Sequence, residues 1–207
     1  MLDIIRQKIC ASGSGTVFNP SDFLSLGSRA AVDQVLSRLT KKGTLRRLRR
    51  GVYHFPQINE RLGITLSPTP EAIAQALARG HRSSLQVAGA QAANLLGLSE
   101  QVPAHVVYLT DGTAGKVQVG NQTIELRHAA PRSMQAAGRI SGTVIQALRH
   151  LGQKNVTPEV LRRLQTKLSG EDKKTLQRDL LLAPGWMRPL LLSVTEDISL
   201  DAVLRED

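Results

Sequence analysis

The stretch SRAAVDQVLSRLTKKGTLRRLRRGVYHFP, residues 28–56, decides how the beginning of the chain folds. Its first half predicts an amphipathic helix that Ser28 caps and Gly43 ends, because apolar residues recur at i, i+3, i+4 and i+7. These apolar residues are Val32, Val35, Leu36 and Leu39. Its second half contains two short runs joined around Gly51, which predicts a β-hairpin. The hairpin is strongly basic, because it carries Arg46, Arg47, Arg49 and Arg50.

The residues before this stretch complete a larger pattern. Apolar residues repeat at helical spacing over 2–9, and residues 17–18 suit a short strand. The sequence NPSDFLSLG, residues 19–27, then predicts a second, very short helix with its asparagine as N-cap. Helix, short helix, turn and longer helix is the order of a helix-turn-helix, and the basic hairpin occupies the position of a wing. We therefore predict a winged helix-turn-helix domain over residues 1–56.

The predicted hairpin has one irregularity. Leu45 and Leu48 are three residues apart, so they cannot both face the core of a regular strand, and a bulge or a late strand start is expected. In the second strand, Tyr53 and Phe55 share one face and are predicted to hold the hairpin on the helices.

The remainder of the chain predicts an α+β fold with a second domain. Residues 57–69 lose their periodicity and contain LSPTP, which predicts a linker before a C-terminal domain over 70–207. In that domain we expect a helix after Thr69, an alanine-rich helix over 83–98, three short antiparallel strands, and a helical final part. The strands are the segments HVVYLT, KVQV and TIELRH. The acidic C-terminal end is expected to be peripheral.

The charge distribution favours an anionic partner. The chain has a formal net charge of +10, and residues 1–56 hold ten basic residues against three acidic ones. No run of 18 uncharged apolar residues occurs, and the first residues lack the apolar core of a signal peptide. We therefore expect a cytoplasmic protein with no membrane partner.

The longer helix and the hairpin are predicted to bind double-stranded DNA. With the apolar stripe turned inward, the opposite helix face carries a glutamine, which can pair with adenine, and basic residues that suit phosphates. The candidate residues are Ser28, Arg29, Ala30, Gln34, Ser37, Arg38, Lys41, Lys42, Arg46, Arg47, Arg49 and Arg50. A solvated helix face and a solubility patch are the plain alternatives. Apolar residues interleaved with the arginines at strand spacing favour the wing.

Few residues suggest catalysis, and we predict that the chain is not an enzyme. Asp111, Glu125 and Arg127 resemble, loosely, the acidic layout of metal-dependent nucleases, although arginine stands where lysine is usual. The histidines are scattered, and the single cysteine, Cys10, is expected to be a small buried apolar residue. We predict no cofactor, no metal site and no catalytic residue. A nuclease using residues 70–207 remains a less favoured alternative.

The order of these motifs resembles the AbiEi-type antitoxins of abortive-infection toxin–antitoxin systems. The segments that carry the resemblance are LxRLxRGVY in the hairpin, VVYLTDG at 106–112 and IELRHA at 124–129. The resemblance extends to about residue 195 and is most specific in the first two segments.

The resemblance implies a winged helix fused to an antitoxin domain. Such a protein represses its own operon at inverted repeats and counteracts a nucleotidyltransferase-like toxin, in a type IV arrangement that requires no stable complex with the toxin. We expect a monomer or weak dimer that binds paired half-sites, where cooperative binding is one option. A winged-helix transcription factor without a toxin partner is the alternative.

Overall fold

The computed structural model describes residues 1–101, 105–119 and 122–196. It has the predicted α+β composition, with small antiparallel sheets. The chain divides into two compact units, one of Met1–Ser83 with Lys116–Ile124 and the other of Ser84–Gly115 with the chain from Glu125 onward. Within the described ranges, no helix has both the length and the apolar character needed to cross a bilayer.

The first fifty-four residues contain the predicted elements in the predicted order. They are α1 (Leu2–Ala11), β1 (Val17–Phe18), a 3-10 helix (Pro20–Leu26), α2 (Arg29–Lys41), β2 (Arg46–Arg49) and β3 (Val52–His54). The three strands form an antiparallel sheet of order β1-β3-β2. β1 therefore lies against the second strand of the basic hairpin, by which we mean β2, β3 and the turn between them.

A side-chain cap fixes the start of the 3-10 helix, and another fixes the start of α2. The Asn19 side chain accepts a hydrogen bond from the Ser21 backbone N–H at 2.7 Å, and the Asp22 carboxylate accepts one from the Asn19 backbone N–H at 2.9 Å. The Ser28 hydroxyl accepts a hydrogen bond from the Ala31 N–H at 3.4 Å, as predicted for the start of α2. These caps satisfy N–H groups that a helix leaves without internal partners.

One apolar cluster joins α1, the 3-10 helix, α2 and the hairpin. It consists of Ile5, Ile9, Phe18, Phe23, Val32, Val35, Leu36, Leu39, Leu45 and Tyr53. The predicted apolar stripe of α2 is therefore its buried face, and Phe55 packs at the edge of the cluster as expected.

The expectation for Cys10 is wrong, because its thiol side chain is exposed. Ile5 and Ile9 face the core, and Cys10 follows them about 100° around the helix, outside the buried stripe.

The hairpin contains the predicted bulge. Arg47 pairs with Tyr53 and Arg49 with Val52, so the register shifts between Arg47 and Arg49. Leu45 is buried while Leu48 is only half-buried, which resolves the three-residue spacing of the two leucines. The second strand has no exposed face, because its three residues, Val52–His54, are all buried.

The predicted linker is structured. Residues 57–69 contain two strands, β4 (Gln57–Asn59) and β5 (Ile64–Leu66), which form an antiparallel pair. The sequence did not predict these two strands, because each has only three residues and an alternating apolar pattern cannot be recognised over so short a segment.

The helix that follows belongs to the first unit and not, as predicted, to the second. This helix, α3 (Pro70–His81), is anchored by the Asn19 side-chain amide, which donates a hydrogen bond to the Ala76 carbonyl at 2.7 Å. Arg79 forms an ion pair with Asp22 at 2.9 Å and donates a hydrogen bond to the Val17 carbonyl at 2.8 Å. These contacts place the unit boundary after Ser83 instead of at residues 57–69.

The alanine-rich segment predicted as one helix is a strand followed by a helix. β6 (Leu85–Val87) pairs antiparallel with β7 (Val106–Thr110), and α4 (Gly89–Leu95) begins at Gly89, which has a positive φ of 56°. Pairing with β7 outweighs the helix propensity of the segment, which is a weak preference per residue. The remaining predicted strands are present as β8 (Gly115–Val119) and β9 (Gln122–His128), and the sheet has the order β6-β7-β9-β8.

The helical final part is present as predicted. Its α-helices are α5 (Pro131–Met134), α6 (Ile140–Leu151), α7 (Pro158–Lys167), α8 (Gly170–Arg178) and α9 (Arg188–Glu196). A second apolar cluster lies between α4, α6, α7, α8 and α9. Among its members are Val144, Leu148, Leu161, Leu164, Leu191 and Val194. The acidic end, predicted to be peripheral, lies outside the described residues from 197 onward.

Candidate nucleic-acid interface

All twelve predicted DNA-binding residues lie in the first unit, and all twelve are exposed. Eight of them belong to α2 or its caps, and the other four belong to the basic hairpin. The eight are Ser28, Arg29, Ala30, Gln34, Ser37, Arg38, Lys41 and Lys42, and the four are Arg46, Arg47, Arg49 and Arg50. The residues therefore form a candidate surface on two consecutive elements.

The exposed face of α2 has polar side chains without competing partners. Val32 and Leu36 are fully buried on the opposite face and fix the rotation of the helix about its axis. Within the described part of the chain, the side chains of Gln34 and Ser37 make no hydrogen bond, and Arg38 makes no ion pair. An unpaired amide on an exposed helix can make the two hydrogen bonds that recognise an adenine edge.

The arginines of the hairpin are largely free of carboxylates. Arg46, Arg49 and Arg50 form no ion pair with any described residue, and the Arg47 Nε–H donates only a long hydrogen bond, 3.4 Å, to the Arg49 carbonyl. No acidic residue in the described ranges therefore neutralises their charges. A group of unneutralised guanidiniums on a short ribbon is suited to the phosphates of a nucleic-acid backbone.

Besides Arg47, two of the predicted residues have side-chain partners among the described residues. The Ser28 hydroxyl caps α2, so its oxygen serves the helix. The Arg29 Nε–H donates to Asp33 at 3.0 Å in an ion pair whose side chains are 58% and 46% exposed. An exposed pair of this kind contributes only about 0–1 kcal/mol. Arg29 can consequently exchange Asp33 for an incoming anion at little cost.

A cleft of about 290 Å³ lies beside the turn of the hairpin. Arg29, Arg49 and Arg50 contribute to its wall, and α3 contributes Gly80 and His81. The contribution of α3 could not be predicted, because the sequence pattern of α3 indicates an amphipathic helix but not the unit on which it packs.

His54 pairs with Arg46 across the hairpin and is 1% exposed. Its strand neighbours are Val17 on one side and Arg46 on the other. Neither ring nitrogen has a hydrogen-bond partner among the described residues. Burial, assisted by the charge of Arg46, lowers the pKa of His54 from its ordinary value, which favours the neutral ring.

The residues of the nuclease hypothesis have local partners. The Asp111 carboxylate accepts a hydrogen bond from the Ser84 N–H at 2.7 Å, and this bond lowers the pKa of Asp111. Glu125 pairs with Arg127 at 2.7 Å, which raises the pKa of the arginine. In the ranges that the structure describes, no group of three or more His, Cys, Asp or Glu residues is arranged to hold a metal ion.

Comparison of the chain with curated proteins and with solved structures gives no match. One protein family, DUF6088, does match, and its description is that of a family of unknown function. The match covers residues 4–176, which include the whole α2 and hairpin surface and most of the second unit. The chain therefore belongs to the DUF6088 family.

Proposed function

We propose that the first unit is a winged helix-turn-helix that binds double-stranded DNA sequence-specifically. In this proposal, α2 is the recognition helix and the basic hairpin is the wing. The observation that carries it is the exposed surface on which Gln34 and Ser37 lie beside arginines and lysines, most of which pair with no carboxylate of the described residues.

The order of the elements supports the proposal. A helix, a short strand, a short helix, a longer helix and a hairpin follow one another, and the short strand pairs with the second hairpin strand. This is the arrangement expected of a winged helix-turn-helix. The concentration of basic residues in the same part of the chain supports a polyanionic partner.

The roles follow from side-chain chemistry. Gln34 and Ser37 read base edges in the major groove, while Arg38, Lys41 and Lys42 contact phosphates near the end of α2. The hairpin arginines grip the adjacent backbone or enter the minor groove, where a narrow A·T tract strengthens the negative potential. No catalytic step belongs to this proposal.

We further propose that the chain is an antitoxin and autorepressor, on the basis of its resemblance to the AbiEi-type antitoxins. It would repress its own operon at inverted repeats and counteract a nucleotidyltransferase-like toxin without forming a stable complex. One winged helix covers one half-site, so a monomer or weak dimer suffices for binding to paired half-sites.

The DNA-binding proposal is tested with the purified full-length chain in a gel-shift titration. The probe is the DNA immediately upstream of its own gene, and the control is a scrambled duplex of the same length and base composition. We expect the upstream DNA to bind about 10³-fold or more tightly than the control. Equal affinity for the two duplexes would contradict sequence specificity, and binding to neither would contradict the proposal as a whole.

The antitoxin proposal is tested by expressing the adjacent open reading frame with and without this chain. Growth arrest by the neighbour, relieved by co-expression, is the expected result. A neighbour that is harmless on its own would instead favour a transcription factor without a toxin partner.

A further inference from the structure

The cleft beside the hairpin turn is built from four parts of the first unit. The turn contributes Arg49, Arg50 and Gly51, the start of α2 contributes Arg29, and the 3-10 helix and its cap contribute Asn19, Pro20 and Ser21. The end of α3 closes the remaining side with Gly80 and His81. Because the parts come from well-separated positions in the sequence, the cleft exists only in the folded unit.

The charged side chains that line the described cleft are all basic. Three guanidiniums and one imidazole line it, and none of the described residues contributes a carboxylate to the lining. Arg49 and Arg50 have no ion-pair partner in the described chain, and the pair between Arg29 and Asp33 is exposed and exchangeable. Guanidinium groups bind phosphate oxygens through paired N–H donors, so the convergence of three of them favours a phosphate over a cation or a neutral ligand.

The floor of the cleft is preformed. The Asn19 side chain is 3% exposed and holds two partners, the Ala76 carbonyl and the Ser21 N–H, so the junction between the 3-10 helix and α3 is fixed. Apolar lining comes from Val52 and Leu77. A volume of about 290 Å³ is near the lower limit for small-ligand pockets and exceeds the needs of one inorganic ion. A nucleotide unit, with a phosphate and an apolar ring face, fits this combination.

We propose that this cleft binds the phosphate of a nucleotide unit, with Arg29, Arg49 and Arg50 as the phosphate ligands. The unit is supplied either by the DNA backbone or by a free nucleotide. The first source rests on the proposed DNA-binding function. The second makes the cleft a regulatory site, because a free nucleotide would occupy the arginines that the DNA needs and would compete with it.

Two substitutions separate the shape of the site from its charge. Gly80→Met narrows the cleft without changing the net charge, and a Cβ at Gly80 would meet the Asn19 side chain at 3.5 Å, an ordinary contact. The substitution should be tolerated, since Gly80 lies in the exposed part of a helix where glycine is unfavourable. Arg50→Gln removes one phosphate ligand.

Matched controls carry the same changes elsewhere. Gly170→Met alters an exposed helical glycine whose Cβ would meet nothing within 4 Å. Arg6→Gln removes one exposed charge on α1, in the same unit but outside the cleft. Thermal melting of each variant verifies that it is folded. If Gly80→Met fails to fold, the ligand affinities of Arg50→Gln and Arg6→Gln are compared to decide whether the cleft binds phosphate.

The measurement is calorimetric titration of the full-length chain with ATP, followed by titration with its upstream DNA. If the source is a free nucleotide, ATP binds with one-to-one stoichiometry and about tenfold more weakly to Gly80→Met and Arg50→Gln, whereas both controls bind normally. If the source is the DNA backbone, ATP does not bind, and the two cleft variants lose about fivefold or more in DNA affinity relative to their controls.

The proposal is overturned if both cleft variants bind ATP and DNA as their controls do. Its failure is distinguishable from failure of the proposed function. A chain that binds ATP through the cleft but binds no DNA would contradict the DNA-binding function and leave the cleft assignment intact. A chain that binds its upstream DNA, with no effect of the cleft variants on the binding of either ATP or DNA, would contradict the cleft assignment alone.

Discussion

The basic hairpin and α7 are both rich in arginine, yet their arginines are held differently. In α7, Arg162 and Arg163 both lie against Glu159, at 3.6 Å and 3.2 Å. In the hairpin, no described carboxylate pairs with Arg46 or Arg50. A count of basic residues would rank the two segments as similar partners for an anion. The hairpin arginines therefore have no described carboxylate to exchange, whereas Arg162 and Arg163 would each have to exchange an exposed and weak pair with Glu159.

Other arginines of the second unit serve the fold directly. Arg139 forms an ion pair with Asp179 at 2.7 Å, and the Asp179 side chain is only 8% exposed. The Ser141 hydroxyl donates to the same carboxylate. Arg188 donates to the carbonyls of Ala183 and Leu181. Arg139 and Arg188 therefore stabilise local structure, whereas the hairpin arginines, which pair with no described carboxylate, are available to an external anion.

The largest expected effect comes from removing the free charges. Changing Arg46, Arg47, Arg49 and Arg50 together to glutamine should lower DNA affinity about 100-fold or more at low salt, because each lost phosphate contact also forfeits counterion release. Fluorescence anisotropy with the upstream duplex measures this loss.

The control removes four charges from the second unit. Its substitutions are Arg162→Gln, Arg163→Gln, Lys167→Gln and Lys174→Gln. This variant should retain DNA affinity to within about fivefold, since only long-range electrostatics changes. If both quadruple variants lost affinity equally, net charge would explain the binding and the contrast between free and paired arginines would have no functional meaning.

The next effect concerns stability. Arg139→Gln leaves the buried Asp179 carboxylate without its ion pair and should lower the free energy of unfolding by about 1.5–3 kcal/mol. Arg50 has no described ion-pair partner that would be left unpaired. Arg50→Gln should therefore change the free energy of unfolding by less than about 0.5 kcal/mol. Urea denaturation followed by circular dichroism measures both. Comparable destabilisation by the two variants would mean that Arg50 has a structural role after all.

Substitutions in α2 are expected to affect the sequence preference of DNA binding. Gln34→Ala should reduce discrimination at one base pair of the operator by about 1–3 kcal/mol and leave the other positions unchanged. Arg38→Ala should instead weaken binding to every sequence alike, because a phosphate contact carries no base information. Competition binding with single-base operator variants distinguishes the two patterns. A uniform loss in Gln34→Ala would argue against its contact with a base edge.

The smallest effect comes from pH. Because burial lowers the pKa of His54 below 6.5, the folded state resists protonation, and stability is lost as the pH falls below about 6.5. The melting temperature of the wild type should therefore fall more between about pH 7.5 and about pH 5 than that of His54→Leu. His105→Gln, which changes an exposed histidine, should melt like the wild type. An unchanged pH profile in His54→Leu would contradict a buried neutral ring.

Local patterns predicted which side chains of α2 are exposed and where the hairpin is irregular. The apolar spacing of α2 determined which of its residues face the core, so the exposure of Gln34 and Lys41 followed. The odd spacing of Leu45 and Leu48 predicted the bulge. These features depend on residues that are close in sequence, where periodicity carries the information.

The sequence did not predict features that depend on contacts between residues far apart in the chain. The packing of α3 on the first unit rests on Asn19 and Arg79, each of which contacts a residue 57 positions away. The alanine-rich stretch before α4 suggested a helix, but its first part pairs with β7 in a strand. No local pattern encodes such contacts, and the cleft formed with Gly80 and His81 was invisible for the same reason.

The most direct test of a phosphate-binding surface is the salt dependence of DNA binding. The dissociation constant of the full-length chain for its upstream duplex would be measured from about 50 mM to about 200 mM salt. If α2 and the hairpin neutralise about six phosphates, the logarithm of the association constant should fall with the logarithm of salt concentration at a slope near about −5. A slope near zero would contradict the account.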